Sequence, residues 1–95
     1  LTGFRMPTVW IPPLWRDKLT GGQETVEVSG STVREIVVEL ETQFPGIQKR
    51  LVDDEEDRIR RTIAVAVDGE MSREGMRKKV GTASEVHFLP AMSGG

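Results

Sequence analysis

The chain has 95 residues, 13 basic and 15 acidic, and no cysteine. It is long enough for one small domain with one modest core, and too short for a deep catalytic cavity. The missing cysteines exclude disulfides, thiolate nucleophiles and Cys-based zinc sites, the net charge of −2 argues against nucleic acid as a partner, and no apolar run approaches the ~20 residues of a membrane span.

Met6 to Ile11 reads as a first strand, with strand-favouring Val9, Trp10 and Ile11 closed by Pro12-Pro13. Trp15 to Gln23 reads as a loop, with Thr20-Gly21-Gly22-Gln23 supplying turn chemistry. Glu24 to Val28 alternates polar and apolar residues, as a half-buried strand does, and completes a hairpin with a long connection.

Ser29-Gly30-Ser31 breaks that pattern, and Thr32 with Glu35 three residues on is a capping-box signature. Val33, Ile36, Val37, Leu40 and Phe44 then mark one face of a helix, which Pro45-Gly46 stops. Glu35, Glu39, Glu41 and Gln43 fall on its wet side. Ile47 to Val52 is a short helical turn anchored by Ile47 and Leu51. Asp53 to Asp57 is a solvated acidic loop without the glycine of a calcium loop.

Ile63 to Val67 is a strong strand, its branched residues on one face and alanines on the other. Asp68-Gly69 is a turn. Met71 to Lys79 is irregular, with Arg77, Lys78 and Lys79 exposed, and Val80 to Ser84 turns again. Glu85 to Leu89 is the last strand. Val86 and Phe88 share one face and His87 points the other way, as a surface histidine. One helix across a mixed sheet is a two-layer α+β arrangement.

The chain ends Leu89-Pro90-Ala91-Met92-Ser93-Gly94-Gly95. Glycine has no Cβ, so a Gly-Gly end can thread a slot that any other residue would block. The end reads as a thin tail bringing a carboxylate into another protein's active site. Six residues past Leu89 reach about 20 Å. A carboxylate ionised at neutral pH is unreactive, so a partner must activate it, most simply as an acyl-adenylate made with ATP.

The strand-strand-helix-strand-strand order with a terminal Gly94-Gly95 resembles the ubiquitin-like β-grasp sulfur carriers of the MoaD/ThiS family. The likeness covers the chain from about Met6. Within the family it is closer to the carriers of an actinobacterial cysteine-biosynthesis route. Ile11-Pro12, Thr20-Gly21-Gly22-Gln23, Leu40-Glu41, Gly46-Ile47 and Phe88-Leu89-Pro90-Ala91 carry that closer match. Trp10 and Trp15 depart from it, standing where smaller or aliphatic residues are expected.

The resemblance implies a ubiquitin-like β-grasp with a mixed sheet of four to five strands packed on one main helix. Residues 1–5 are then an N-terminal extension that need not be native, 6–90 the domain and 91–95 a flexible tail. It implies a carrier rather than an enzyme, with no catalytic residue, bound cofactor or metal of its own. A ubiquitin-activating-type adenylating enzyme (MoeB/ThiF-like) uses ATP on Gly95, a sulfur donor converts the adenylate to a thiocarboxylate, and a biosynthetic enzyme accepts the sulfur. A metalloprotease that trims the tail or releases product is a further partner in such systems.

Gly94, Ser93 and Met92 would have to enter the partner's active site with Gly95. Arg77, Lys78 and Lys79 are candidates for an electrostatic partner contact. Phe88 reads first as core and second as part of a partner-facing patch. Trp15 either caps the core or anchors an interface. A small subunit of molybdopterin synthase and a ubiquitin-like protein modifier would share the same terminal chemistry. Neither a signal peptide nor a membrane segment is legible, so the expected location is the cytoplasm.

Overall fold

A computed structural model describes residues 5–91. Its main sheet has five strands in the order β2-β1-β7-β5-β6: β1 (Thr8–Trp10), β2 (Thr25–Glu27), β5 (Ile63–Val67), β6 (Glu70–Met71) and β7 (Glu85–Pro90). β1 and β7 are parallel, and the other neighbours are antiparallel. The expected hairpin is therefore β1–β2, and the last strand lies in the middle of the sheet.

The long helix α2 (Val33–Gln43) covers one face of this sheet. Val33, Ile36, Val37 and Leu40 are buried against Val9, Val65, Val67, Val86 and Phe88, as the apolar spacing requires. Thr32 caps the helix, its side chain accepting the Glu35 amide at 3.3 Å. Glu35 reaches back one residue further than a standard capping box, to the Ser31 amide at 2.8 Å. That charge-assisted bond holds the Glu35 carboxyl below its ordinary range.

Four segments differ from the expectation. Trp15–Gln23 is not a plain loop. A 3-10 turn (Pro13–Trp15) runs into a short helix α1 (Arg16–Leu19), because Pro13 can open a helical turn without needing its missing amide. Thr20 is buried there, its hydroxyl 2.8 Å from the Gln23 carbonyl and 3.1 Å from that of Arg16. Gly21 and Gly22 take φ values of 65° and 92°, a backbone that favours glycine.

The acidic run is the tip of a small ribbon, β3 (Val52–Asp53) paired with β4 (Arg58–Ile59), entered directly from helix α3 (Gln48–Leu51). Asp53 accepts the Glu55 amide at 3.0 Å, and Arg34 holds Asp57 with two hydrogen bonds of 3.0 and 2.8 Å. The run is thus partly structural rather than only solvated. Glu41 is likewise not simply on the wet side. It turns back to accept the Gly46 and Gln48 amides at 3.1 and 2.9 Å, and these bonds lower its pKa.

The irregular stretch holds β6 and a 3-10 turn (Gly75–Arg77), which buries Met76. The Val33 amide donates to Lys78 O at 2.9 Å and the Val80 amide to Ser31 O at 3.0 Å, which ties this stretch to the start of α2.

Candidate functional site

The carboxyl end leaves the fold from the centre of the sheet. β7 pairs with β1 from Glu85 to His87 and with β5 from Val86 to Pro90, which lies opposite Ile63. Pro90 stands opposite Ile63 at a non-hydrogen-bonded position of this ladder, where a missing amide costs no bond, and the next rung is closed by the Ala91 amide, which donates to Thr62 O at 2.8 Å. The root of the tail is therefore held up to Ala91. Met92, Ser93, Gly94 and Gly95 lie outside the described residues.

The sheet face away from α2 is not covered by any described element. Trp10 and His87 lie on it, and Ala66 and Met71 continue the same cross-strand row. Ala66 is buried although it faces outward, because this row shields it. Leu89 opposes Ala64 one row nearer the tail and is 38% exposed, while Met71 is 62% exposed. A mainly apolar surface thus leads to the tail root. The alternation that placed His87 opposite Phe88 carried this signal, and applying it to Trp10, Ala66 and Leu89 would have outlined the whole face.

The other candidate residues occupy different places. Phe88 is a correction: at 2% exposure it is core and offers no side-chain surface, since its position in β7 points it at α2. Trp15 is half-buried, packs against the core and lies 6.0 Å beneath the Arg50 guanidinium, as the core-capping reading expects. Its neighbour Leu14, unremarked in the sequence, is 88% exposed.

Arg77 is exposed. Lys78 stands 3.6 Å from Glu74, and Lys79 makes a bridge to Thr32. The backbones of Lys78 and Lys79 serve the seam with the start of α2. Among the described residues no group of three His, Asp or Glu side chains could hold a metal ion, and no helix is long and apolar enough to cross a membrane.

Comparison with known proteins agrees with this architecture. Residues 15–95 match the ThiS family. The sulfur carrier protein CysO of Mycobacterium tuberculosis is 34% identical over 91 residues, which cover 93% of this chain and 97% of the relative. The structure of the Amycolatopsis orientalis BexX/CysO complex matches with TM-score 0.83 and 38% identity, over 94% of this chain and 99% of the matched chain. The crystal structure of M. tuberculosis CysO matches with TM-score 0.83 and 32% identity, over 90% and 99%. The five-strand sheet and single long helix are the ubiquitin-like β-grasp these share.

Proposed function

The chain belongs to the ThiS family and is a sulfur carrier, and from that premise we propose that it serves cysteine biosynthesis by carrying sulfur as a thiocarboxylate on Gly95. The observation that carries this reading is the pairing of a terminal Gly94-Gly95 with a central strand held as far as Ala91. A fixed root followed by two residues without side chains suits delivery of one carboxylate into a narrow site.

The chemistry runs in two displacements. The Gly95 carboxylate attacks the α-phosphorus of ATP on an adenylating partner, and pyrophosphate leaves. A sulfide-level donor then attacks the acyl carbon and AMP leaves, giving the thiocarboxylate. A thiocarboxylic acid is more acidic than a thiol, so its sulfur is anionic and nucleophilic at neutral pH. The chain has no cysteine to intercept the activated acyl group. On the biosynthetic enzyme the sulfur attacks the acceptor, water then cleaves the acyl carbon–sulfur bond, and the regenerated carboxylate is recharged.

The partners in this reading are the adenylating enzyme, the acceptor and a tail-processing or product-releasing metalloprotease. Gly94, Ser93 and Met92 pass with Gly95 into the first two. The A. orientalis relative is crystallised in a complex with BexX, which supports partner docking in this branch. Relatives that are themselves carriers favour this reading over a protein modifier or a molybdopterin synthase subunit.

Intact-mass spectrometry of the chain co-expressed with an adenylating enzyme tests it. The expected product has one oxygen exchanged for sulfur, mapped to Gly95. Lysine-linked adducts in its place would identify a modifier.

A further inference from the structure

Two adjoining cavities of about 460 and 420 Å³ share Arg58, Ile59, Arg73 and Gly75, and so form one groove. Six arginines and two carboxylates line it, in a chain whose net charge is −2. Both carboxylates are engaged. Asp57 is held by Arg34, and Glu74 stands 3.6 Å from Lys78. Among the described residues Arg58, Arg60, Arg73 and Arg77 are in no ion pair. Like charges gathered without counter-charges cost electrostatic energy in the free protein, and an anionic ligand relieves that cost.

The groove also follows a bare strand edge. β6 pairs only with Ala66 and Val67, and the last bond of that ladder runs from the Ser72 amide to Val65 O at 2.8 Å. Beyond it, the Ile63–Ala64 half of β5 has no strand on that side among the described residues; the Ile63 amide donates to Arg60 O at 2.9 Å, so the Ile63 carbonyl and the Val65 amide are the groups this edge offers. Ile63, Ala64 and Val65 line the second cavity together with Arg58, Arg60 and Arg73. An uncovered edge beside a groove is where an extended peptide adds to a sheet.

We propose that this groove is the docking site for an extended acidic segment of a partner protein, lying along the Ile63–Val65 edge of β5 with its carboxylates against Arg58, Arg73 and Arg77. The guanidinium fork matches a carboxylate with two hydrogen bonds. A single phosphate would meet the charge but leave the strand edge idle, and a nucleic acid strand has no amide ladder to pair with it. The other side of β5 carries β7, with Ile63 opposite Pro90. A segment added here stands two strands from the chain's exit and fixes the orientation of the tail root. The proposal rests on the groove alone and holds whatever cargo Gly95 carries.

The test uses the full chain, ¹⁵N-labelled, titrated with a short alternating Glu-Val peptide at low salt. Expected are amide shifts concentrated at Arg58, Ile63, Val65 and Arg73, and an affinity that falls as salt is raised. Arg58→Glu with Arg73→Glu should weaken binding by roughly tenfold or more. Both side chains are exposed, so unchanged shifts outside the groove report an intact fold. Arg77→Glu gives a second, independent loss. Shifts confined to the Trp10–His87 face overturn the proposal. So does equal binding by a Lys-Val peptide, tighter binding by an oligothymidylate, or no binding at millimolar peptide.

Discussion

Trp10 and His87 are register partners on the parallel strands β1 and β7, and their rings stack with centroids 5.1 Å apart and planes 8° from parallel. The stack covers the middle of the open sheet face and buries Trp10 Nε1, which has no hydrogen-bond partner among the described residues. His87 is thus a packing residue of the outer face rather than a lone surface histidine. His87→Ala should cost about 0.5–1.5 kcal/mol beyond lost area, the range of a paired aromatic contact. Urea melts measure it, and an unchanged midpoint would mean that the stack contributes nothing.

Leu40→Ala should be far more costly, about 2–5 kcal/mol, because the side chain is fully buried and its loss leaves a cavity under α2. Chemical denaturation of the variant checks this directly. A small loss would show that the core collapses around the gap.

Gly30→Ala tests the approach to α2. Gly30 has φ +154°, and an added Cβ would lie 3.1 Å from both the Ile36 amide nitrogen and Cδ1. The backbone atom cannot move without shifting the first turn of the helix. A loss of about 1–3 kcal/mol is expected from the strained conformation alone, read as a lower denaturation midpoint.

Acid should destabilise the fold through Asp57 and Glu41. Both are held below their ordinary pKa: Asp57 by the hydrogen bonds and charge of Arg34, Glu41 by the Gln48 and Gly46 amides with help from Lys49. A carboxyl group with a depressed folded pKa adds stability above its unfolded value, and this is lost as pH falls through the folded value. Stability should therefore be level near neutrality and drop as pH passes below about 4. Asp57→Asn and Glu41→Gln should each flatten that acid limb, as urea midpoints across a pH series would show. Glu35, held low by Ser31, adds to the same trend.

Deleting Gly95, or replacing Gly94 with a bulky residue, should abolish adenylation and leave the denaturation midpoint unchanged. Pyrophosphate release measures the first and a melt the second. Normal adenylation of either variant would overturn the role assigned to Gly95.

Long periodic signals were the legible part of this fold. The Val33-to-Phe44 spacing located α2 and its buried face, and the Ile63–Val67 and Glu85–Leu89 runs located two central strands. Short elements escaped because tertiary contacts decide them. Two-residue strands such as Val52–Asp53 and Arg58–Ile59 carry no periodicity, and the ribbon is defined by the turn between them, the Arg34–Asp57 bond and the burial of Val52 and Ile59 in the core. Phe88 was correctly read as core, and its second reading as a contact fails on burial. The arginine groove is lined, Arg34 apart, by residues 57–77; the Arg58-Ile59-Arg60-Arg61 cluster was legible in the sequence, but its meeting with Arg73 and Arg77 is set by the fold.

The double pairing of β7 has a mechanical consequence. A pull on the carboxyl end directs force along the strand, so the ladders to β1 and β5 are sheared together instead of being unzipped one rung at a time. Tension applied beyond Ala91 would therefore load two ladders at once and be passed into the sheet as a whole.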